Sequence, residues 1–70
     1  MEVAIRGDMI RLGQLLKLAG LADDGGEAKA LLAEAEVTVN GEPDTRRGRQ
    51  IHPGDVVVVG ATELVVTAGG

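Results

Sequence analysis

Three arginines, Arg46, Arg47 and Arg49, fall within four consecutive positions of a seventy-residue chain whose formal net charge is −4. They are three of only seven Lys and Arg residues, and two turn signals enclose them, Asn40-Gly41 before and Pro53-Gly54 after. Each guanidinium is a planar fork of N–H donors that matches phosphate or carboxylate oxygens. Anchoring three of them between rigid turns reduces the ordering cost of closing on an anion. A phosphate-bearing partner is the first reading of this stretch, and an acidic protein partner is the second.

Other chemistry is poorly supplied. His52 is the single histidine, and the chain has neither cysteine nor serine, so Ser/His/Asp and Cys/His nucleophile arrangements cannot be built. His52, next to Pro53, reads as a turn residue. Asp23 and Asp24 read as helix-capping residues, because a hard cation needs more oxygen ligands than they offer. The segment GDMIRLG does not match a phosphate-cradling glycine loop. The expectation is a non-enzymatic protein with no metal and no cofactor. The absence of cysteine is compatible with a reducing compartment. No basic start followed by an apolar run opens the chain, and no stretch approaches the roughly 20 apolar residues of a membrane span. A soluble, cytoplasmic protein is expected.

An acidic total argues against a nonspecific polyanion binder, which carries a basic excess over the whole domain. A local basic patch survives an acidic remainder, because salt screens charges beyond about 8–10 Å. The chain has no Phe, Tyr or Trp, and base stacking, on which single-strand binders rely, is therefore unavailable. Phosphate contacts and helical shape remain, which suits structured RNA.

The elements that must position the cluster can be read from spacing. Glu2–Arg6 alternates polar and apolar residues, as a short edge strand does. From Arg11 the period becomes helical, with Leu12, Leu15, Leu16 and Ala19 on one face, and Gly20 stops the helix as a left-handed cap with Leu21 folding back. Asp24 caps a second helix, Glu27 completing a capping-box arrangement, and Ala28, Leu31, Leu32 and Ala35 form its apolar face. Leu31 is an expected core residue. The pair Gly25-Gly26 weakens the first turn of that helix by about 1 kcal/mol each against Ala; it marks either a loose start or a close approach to the backbone. Val37 and Val39 then alternate with Thr38 into Asn40-Gly41, the dipeptide that accepts positive φ at both turn centres. Pro53-Gly54 fits the centre of a type II turn, followed by strands over Val56–Val59 and Glu63–Thr67. The order is strand, two helices, then three or four short strands: one α+β domain over residues 1–70, with no repeat and no linker.

Within this order, R-L from Arg11, L-L-K-L-A-G-L at Leu15–Leu21, A-K at Ala28-Lys29, V-T-V-N-G at Val37–Gly41 and P-G-D at Pro53–Asp55 resemble the S4 domain, the RNA-binding αL motif of ribosomal protein S-four. The chain is most similar to its small stand-alone bacterial members, over about residues 11–59. The resemblance implies two short packed helices on a small antiparallel sheet, to which the alternating segments outside it add terminal strands. It also implies RNA bound along the helix pair and the adjoining loop. Carried over by position, Arg11 and Lys29 belong to the helix part of that surface, and Arg46, Arg47 and Arg49 to the loop part. Lys17 lies on the first helix, flanked by Leu16 and Leu18. The partner implied is structured RNA, ribosomal or transfer RNA among the options, bound by a monomer. The chain departs from the family pattern at Gly13, where many members have Asp, and at Gly25-Gly26, where many have Ser-Arg. It departs again at Ala35-Glu36, where many have Gly.

The C-terminal Gly69-Gly70 raises a different reading. Ubiquitin-like sulfur carriers of the thiamine and molybdopterin pathways end in Gly-Gly, and they too contain V-N-G followed by G-D. They resemble a single helix packed on a β-grasp sheet, whereas two capped helices precede V-N-G here. Incubation with ATP and an adenylating enzyme of those pathways is expected to leave the C-terminus unmodified. An adenylate or thiocarboxylate at Gly70, detected by mass spectrometry, would overturn the RNA-binding reading.

Overall fold

The computed structural model describes residues 1–69; Gly70, half of the Gly-Gly tail, lies outside the described residues. In chain order the elements are β1 (Glu2–Ile5), β2 (Ile10–Arg11), α1 (Leu12–Leu18), α2 (Gly25–Glu34), β3 (Val37–Val39), β4 (Glu42–Pro43), β5 (Gln50–Ile51), β6 (Val56–Val59) and β7 (Thr62–Ala68). The expected α+β class holds, with two helices sharing one buried core with a sheet of order β1-β7-β6-β3-β4. The sheet is mixed rather than antiparallel throughout, because β1 runs parallel to β7, with Val3 opposite Val66. β2 and β5 form a separate two-stranded ladder, Arg11 opposite Gln50.

The helix ends follow from their residues. Gly20 has φ +79°, and the Gly20 and Leu21 amides donate to the carbonyls of Lys17 (3.1 Å) and Leu16 (3.0 Å). This is the Schellman pattern that a left-handed residue permits. At the start of α2 the Asp24 Oδ1 accepts from the Glu27 amide at 2.8 Å, satisfying one amide that the helix cannot pair internally. Asn40 and Gly41 take φ of 51° and 87°, the two positive values required by a primed hairpin turn whose twist matches the flanking strands. Gly54 has φ +95°, and the Asp55 amide returns to the His52 carbonyl at 3.0 Å, closing the expected turn around Pro53-Gly54.

The core is aliphatic. Leu12, Leu15 and Leu16 of α1 are fully buried with Ala28 and Leu32 of α2, against Ile51, Val57 and Leu64. Val3 and Ile5 close the β1 edge, the alternate residues of that strand facing inward. The apolar face of α2 is rotated from the one expected: Leu32 is 2% exposed, while Leu31 is only partly buried and packs at the margin. Adjacent leucines both satisfy the 3- and 4-residue spacing, and the angle at which α2 meets α1 and the sheet selects one. Leu32→Ala should cost about 2–5 kcal/mol. In a domain this small that corresponds to a melting point lowered by roughly 10–30 °C, whereas Leu31→Ala should cost less. Thermal melting followed by circular dichroism checks the order; equal losses would show that the two leucines share the core.

Candidate nucleic-acid interface

The arginine stretch is a loop stitched at both ends. The Asp44 amide continues the edge of the sheet by donating to the Val37 carbonyl at 3.1 Å, and the Arg49 amide donates to the Arg46 carbonyl at 3.2 Å. Across the loop lies the start of α1. There the Leu12 amide donates to the Arg49 carbonyl at 2.8 Å and the Gly13 amide to the Arg47 carbonyl at 2.9 Å. The first amides of a helix lack internal acceptors, and here the arginine loop supplies two. Arg11 closes the same junction with its side chain, Nη1 donating to the Gly48 carbonyl at 2.9 Å.

Gly13 lets Arg47 lie close against the start of α1: a Cβ there would stand 3.3 Å from Arg47 Cβ, whereas one on Gly25 would make an ordinary contact, 3.6 Å from Arg47 Nη1. That nitrogen reaches the Gly25 carbonyl at 3.5 Å. Of the two meanings open for Gly25-Gly26, the structure does not require close approach: a Cβ at either position would meet its nearest neighbour at 3.4–3.6 Å, an ordinary contact.

Arg46 and Arg49 are organised from beneath by Asp44, the one buried charged residue among those described. Asp44 Oδ1 accepts from the Arg46 amide (2.9 Å) and Nε (3.1 Å). Its Oδ2 accepts from Arg46 Nη2 and from Arg49 Nη1, both at 2.9 Å. The hydrogen bonds from the Arg46 side chain and amide outweigh the opposing effect of burial. With Arg49 they hold the Asp44 carboxyl well below the usual carboxylate range. A second carboxylate, Asp55, ties the two glycine turns together. Its oxygens accept from the His52 amide (2.7 Å) and from Asn40 Nδ2 (3.0 Å), while Asn40 Oδ1 accepts from the Val56 amide at 2.9 Å. Burial pushes the Asp55 carboxyl up, but the His52 and Asn40 hydrogen bonds win and leave it lowered.

The surface that results has two concavities divided by Arg11 and Gly48. One is lined by Arg11, Arg46, Gly48, Arg49, Gln50, His52 and Asp55. The other is lined by Arg11, Gly13, Gln14, Lys17, Gly25, Ala28, Arg47 and Gly48, and it has three cations and no acid. Five of the expected contact residues, Arg11, Lys17, Arg46, Arg47 and Arg49, are thus brought together. Lys17, flanked by leucines in sequence, is exposed and faces the second concavity. Lys29 is exposed on α2 and lines neither concavity. Glu36, an acid at a departure from the family pattern, also lines neither. Sequence reasoning passed over Asp44, whose signal was present as an acid two positions before an arginine, the spacing of a side chain that caps a turn. It also took His52 as a turn residue only; His52 belongs to the turn and to the wall of the first concavity.

The S4 domain family model matches residues 3–67, extending the resemblance to the terminal strands β1 and β7. The chain belongs to the S4 domain family. It is 54% identical over 57 residues to the "Probable ribosome maturation protein RlbA" of Bacillus subtilis (strain 168), covering 81% of this chain and 80% of that one. It is 36% identical over 59 residues to the "Putative RNA-binding protein YbcJ" of Escherichia coli (strain K12), covering 84% of each chain. The helix pair preceding V-N-G is the arrangement that the resemblance implied, in place of the single helix of a β-grasp carrier.

The lowered Asp44 carboxyl fixes the sign of a pH effect. A group whose pKa falls on folding stabilises the folded state above its unfolded value, about 3.9 for Asp, and loses that contribution as pH drops below it. The parent protein should therefore melt higher than Asp44→Asn at pH 7, and the gap should narrow as pH is lowered from about 5 to 3. Melting curves of both proteins across that range check this; a gap independent of pH would show that the ion pairs add nothing to stability.

Proposed function

We propose that the chain is a non-enzymatic RNA-binding domain that grips structured RNA by its phosphates and helical shape. The reading is carried by one observation: five of the seven Lys and Arg side chains converge on two adjoining concavities whose walls include one of the eleven acids, Asp55. Membership in the S4 family supports RNA as the partner, and the printed name of the Bacillus subtilis relative, a ribosome maturation protein, supports a ribosome-associated role. Ribosomal RNA is accordingly the favoured target, with transfer RNA as the alternative. No helix is long and apolar enough to cross a membrane among the described residues, and a cytoplasmic monomer comprising one domain over residues 1–70 is the state proposed.

Each of the six expected contact cations has a part. Arg47 and Lys17 flank the helix-pair concavity, Arg11 stands between the two concavities, and Arg46 and Arg49 present guanidinium edges on the other side. Arg46 engages Asp44 through Nε and Nη2, which leaves Nη1 turned to a partner, and its side chain is 71% exposed. Lys29 is proposed as a peripheral contact reached by RNA that extends along α2.

Replacing Arg46, Arg47 and Arg49 together by glutamine keeps polar bulk and removes charge. With about 0.7–0.9 in logarithmic salt slope per phosphate contact, the variant should lose roughly 2–2.7 of slope. Its affinity should fall about 10- to 100-fold at moderate salt, at up to about 1 kcal/mol per exposed charge contact. Fluorescence anisotropy titrations against a structured RNA recovered by crosslinking in cells measure both quantities. Equal affinity and equal slope in a folded variant would mean that the cluster is only a solvated loop.

A further inference from the structure

An acid at the centre of a phosphate-binding edge is unexpected on Coulomb grounds, since it repels the ligand and neutralises part of the cluster. We propose that Asp44 is the positioning residue of this edge, raising affinity for RNA by holding Arg46 and Arg49 in their binding geometry although its own charge opposes the ligand. The proposal rests on the reading of the arginine edge as the RNA-contacting surface.

Three observations carry it. First, the Asp44 side chain is 6% exposed, beneath arginines whose side chains are 71% and 32% exposed; the acid faces inward and the cations outward. Second, its hydrogen-bonding capacity is used up. A carboxylate offers about four lone-pair positions, and the Arg46 amide, Arg46 Nε, Arg46 Nη2 and Arg49 Nη1 occupy four. Third, the contact to Arg46 is a two-pronged fork through Nε and Nη2, which fixes the guanidinium plane rather than merely its distance. An arginine otherwise loses extensive rotamer freedom when it closes on a phosphate.

Two opposing effects can be compared. Releasing two ordered arginines, with the per-side-chain ordering cost converted to affinity, weakens binding about 5- to 150-fold. Removing one negative charge from a screened surface strengthens it by about two- to fivefold. At the middle of both ranges, about 30-fold against about threefold, ordering wins, and Asp44→Asn, which makes the RNA face more positive, should bind RNA roughly tenfold more weakly. Its salt slope should stay within about one contact of the parent, because no cation has been removed.

The test compares four proteins by anisotropy with one crosslink-recovered structured RNA: the parent, Arg46→Gln/Arg49→Gln, Asp44→Asn and Arg46→Lys/Arg49→Lys. Circular dichroism at the assay temperature establishes folding. The lysine variant changes only outward-facing side chains and keeps every charge, so it remains informative even if Asp44→Asn does not fold. Lacking the planar fork, it should also bind more weakly at an unchanged slope. Arginine Nε–H resonances supply a signature independent of affinity: the Arg46 Nε–H should exchange slowly with solvent in the parent and rapidly in Asp44→Asn. If the glutamine variant binds as the parent does, the site reading fails and the proposal falls with it. If the glutamine variant is weakened but folded Asp44→Asn binds equally or more tightly, or the lysine variant matches the parent, only the positioning role is overturned.

Discussion

The amides of Leu12 and Gly13 end on the carbonyls of Arg49 and Arg47, and this seam joins the first helix to the only strongly basic segment of the chain. α1 is seven residues long, well short of the dozen or more that an isolated helix needs to be even marginally stable in water. Its persistence depends on Leu12, Leu15 and Leu16 being buried and on its N-terminal amides having acceptors. The loop provides the acceptors, and the helix in return gives the loop a fixed floor. Cations at a helix N-terminus oppose the helix dipole. The two backbone carbonyls, together with the Asp44 carboxylate under Arg46 and Arg49, offset that conflict locally.

A second lock lies at the far end of the loop. Asn40 belongs to the V-N-G turn and Asp55 to the P-G-D turn, fifteen residues apart, and their side chains hydrogen-bond at 3.0 Å. Each also caps backbone of the other's segment or its own: Asn40 Oδ1 accepts from Val56, and Asp55 accepts from His52. The two turns that bracket the arginines in sequence are thus one joint in space. This gives a physical reason for Asn rather than any other residue tolerant of positive φ at position 40, since glycine would make the turn but could not reach Asp55. The loop leaves the sheet at Asp44, joins the separate β2-β5 ladder at Gln50, and the chain re-enters the sheet at Val56, so a joint between the two turns limits where the guanidinium groups can travel.

What the sequence disclosed and what it withheld divide along the range of the interactions. The Gly20 cap, the Asp24 cap, the Asn40-Gly41 turn and the Pro53-Gly54 turn are set within four or five residues, and all four were legible. The two-residue strands β2, β4 and β5 were not, because a period of two cannot be recognised in two residues. Nor was the parallel pairing of β1 with β7, which joins the two ends of the chain and leaves no local mark on either. Leu31 and Leu32 show the same limit inside a helix: spacing allowed both, and packing chose Leu32. At the site, the arginines were visible as charge and Lys17 as a candidate without a direction. The division of the loop into an inward acid and outward cations depends on the path of the backbone, which spacing does not encode.

The opposition between an acidic protein and a basic edge proposed to bind RNA is eased by distance. The Cα framework spans 29 × 24 × 19 Å, whereas the screening length at physiological ionic strength is about 8 Å. Two to four screening lengths separate opposite sides, so charges across the molecule are largely screened from one another. Acids near the edge are not: Asp24 is exposed and adjoins Gly25, whose carbonyl Arg47 reaches at 3.5 Å. On the proposed reading affinity comes from a few contacts at close range, and with no aromatic ring in the chain those contacts would be ionic forks whose strength depends on how well they are held. A small domain with few cations gains more from fixing each one than from adding more, and the buried carboxylate beneath Arg46 and Arg49 is consistent with that constraint.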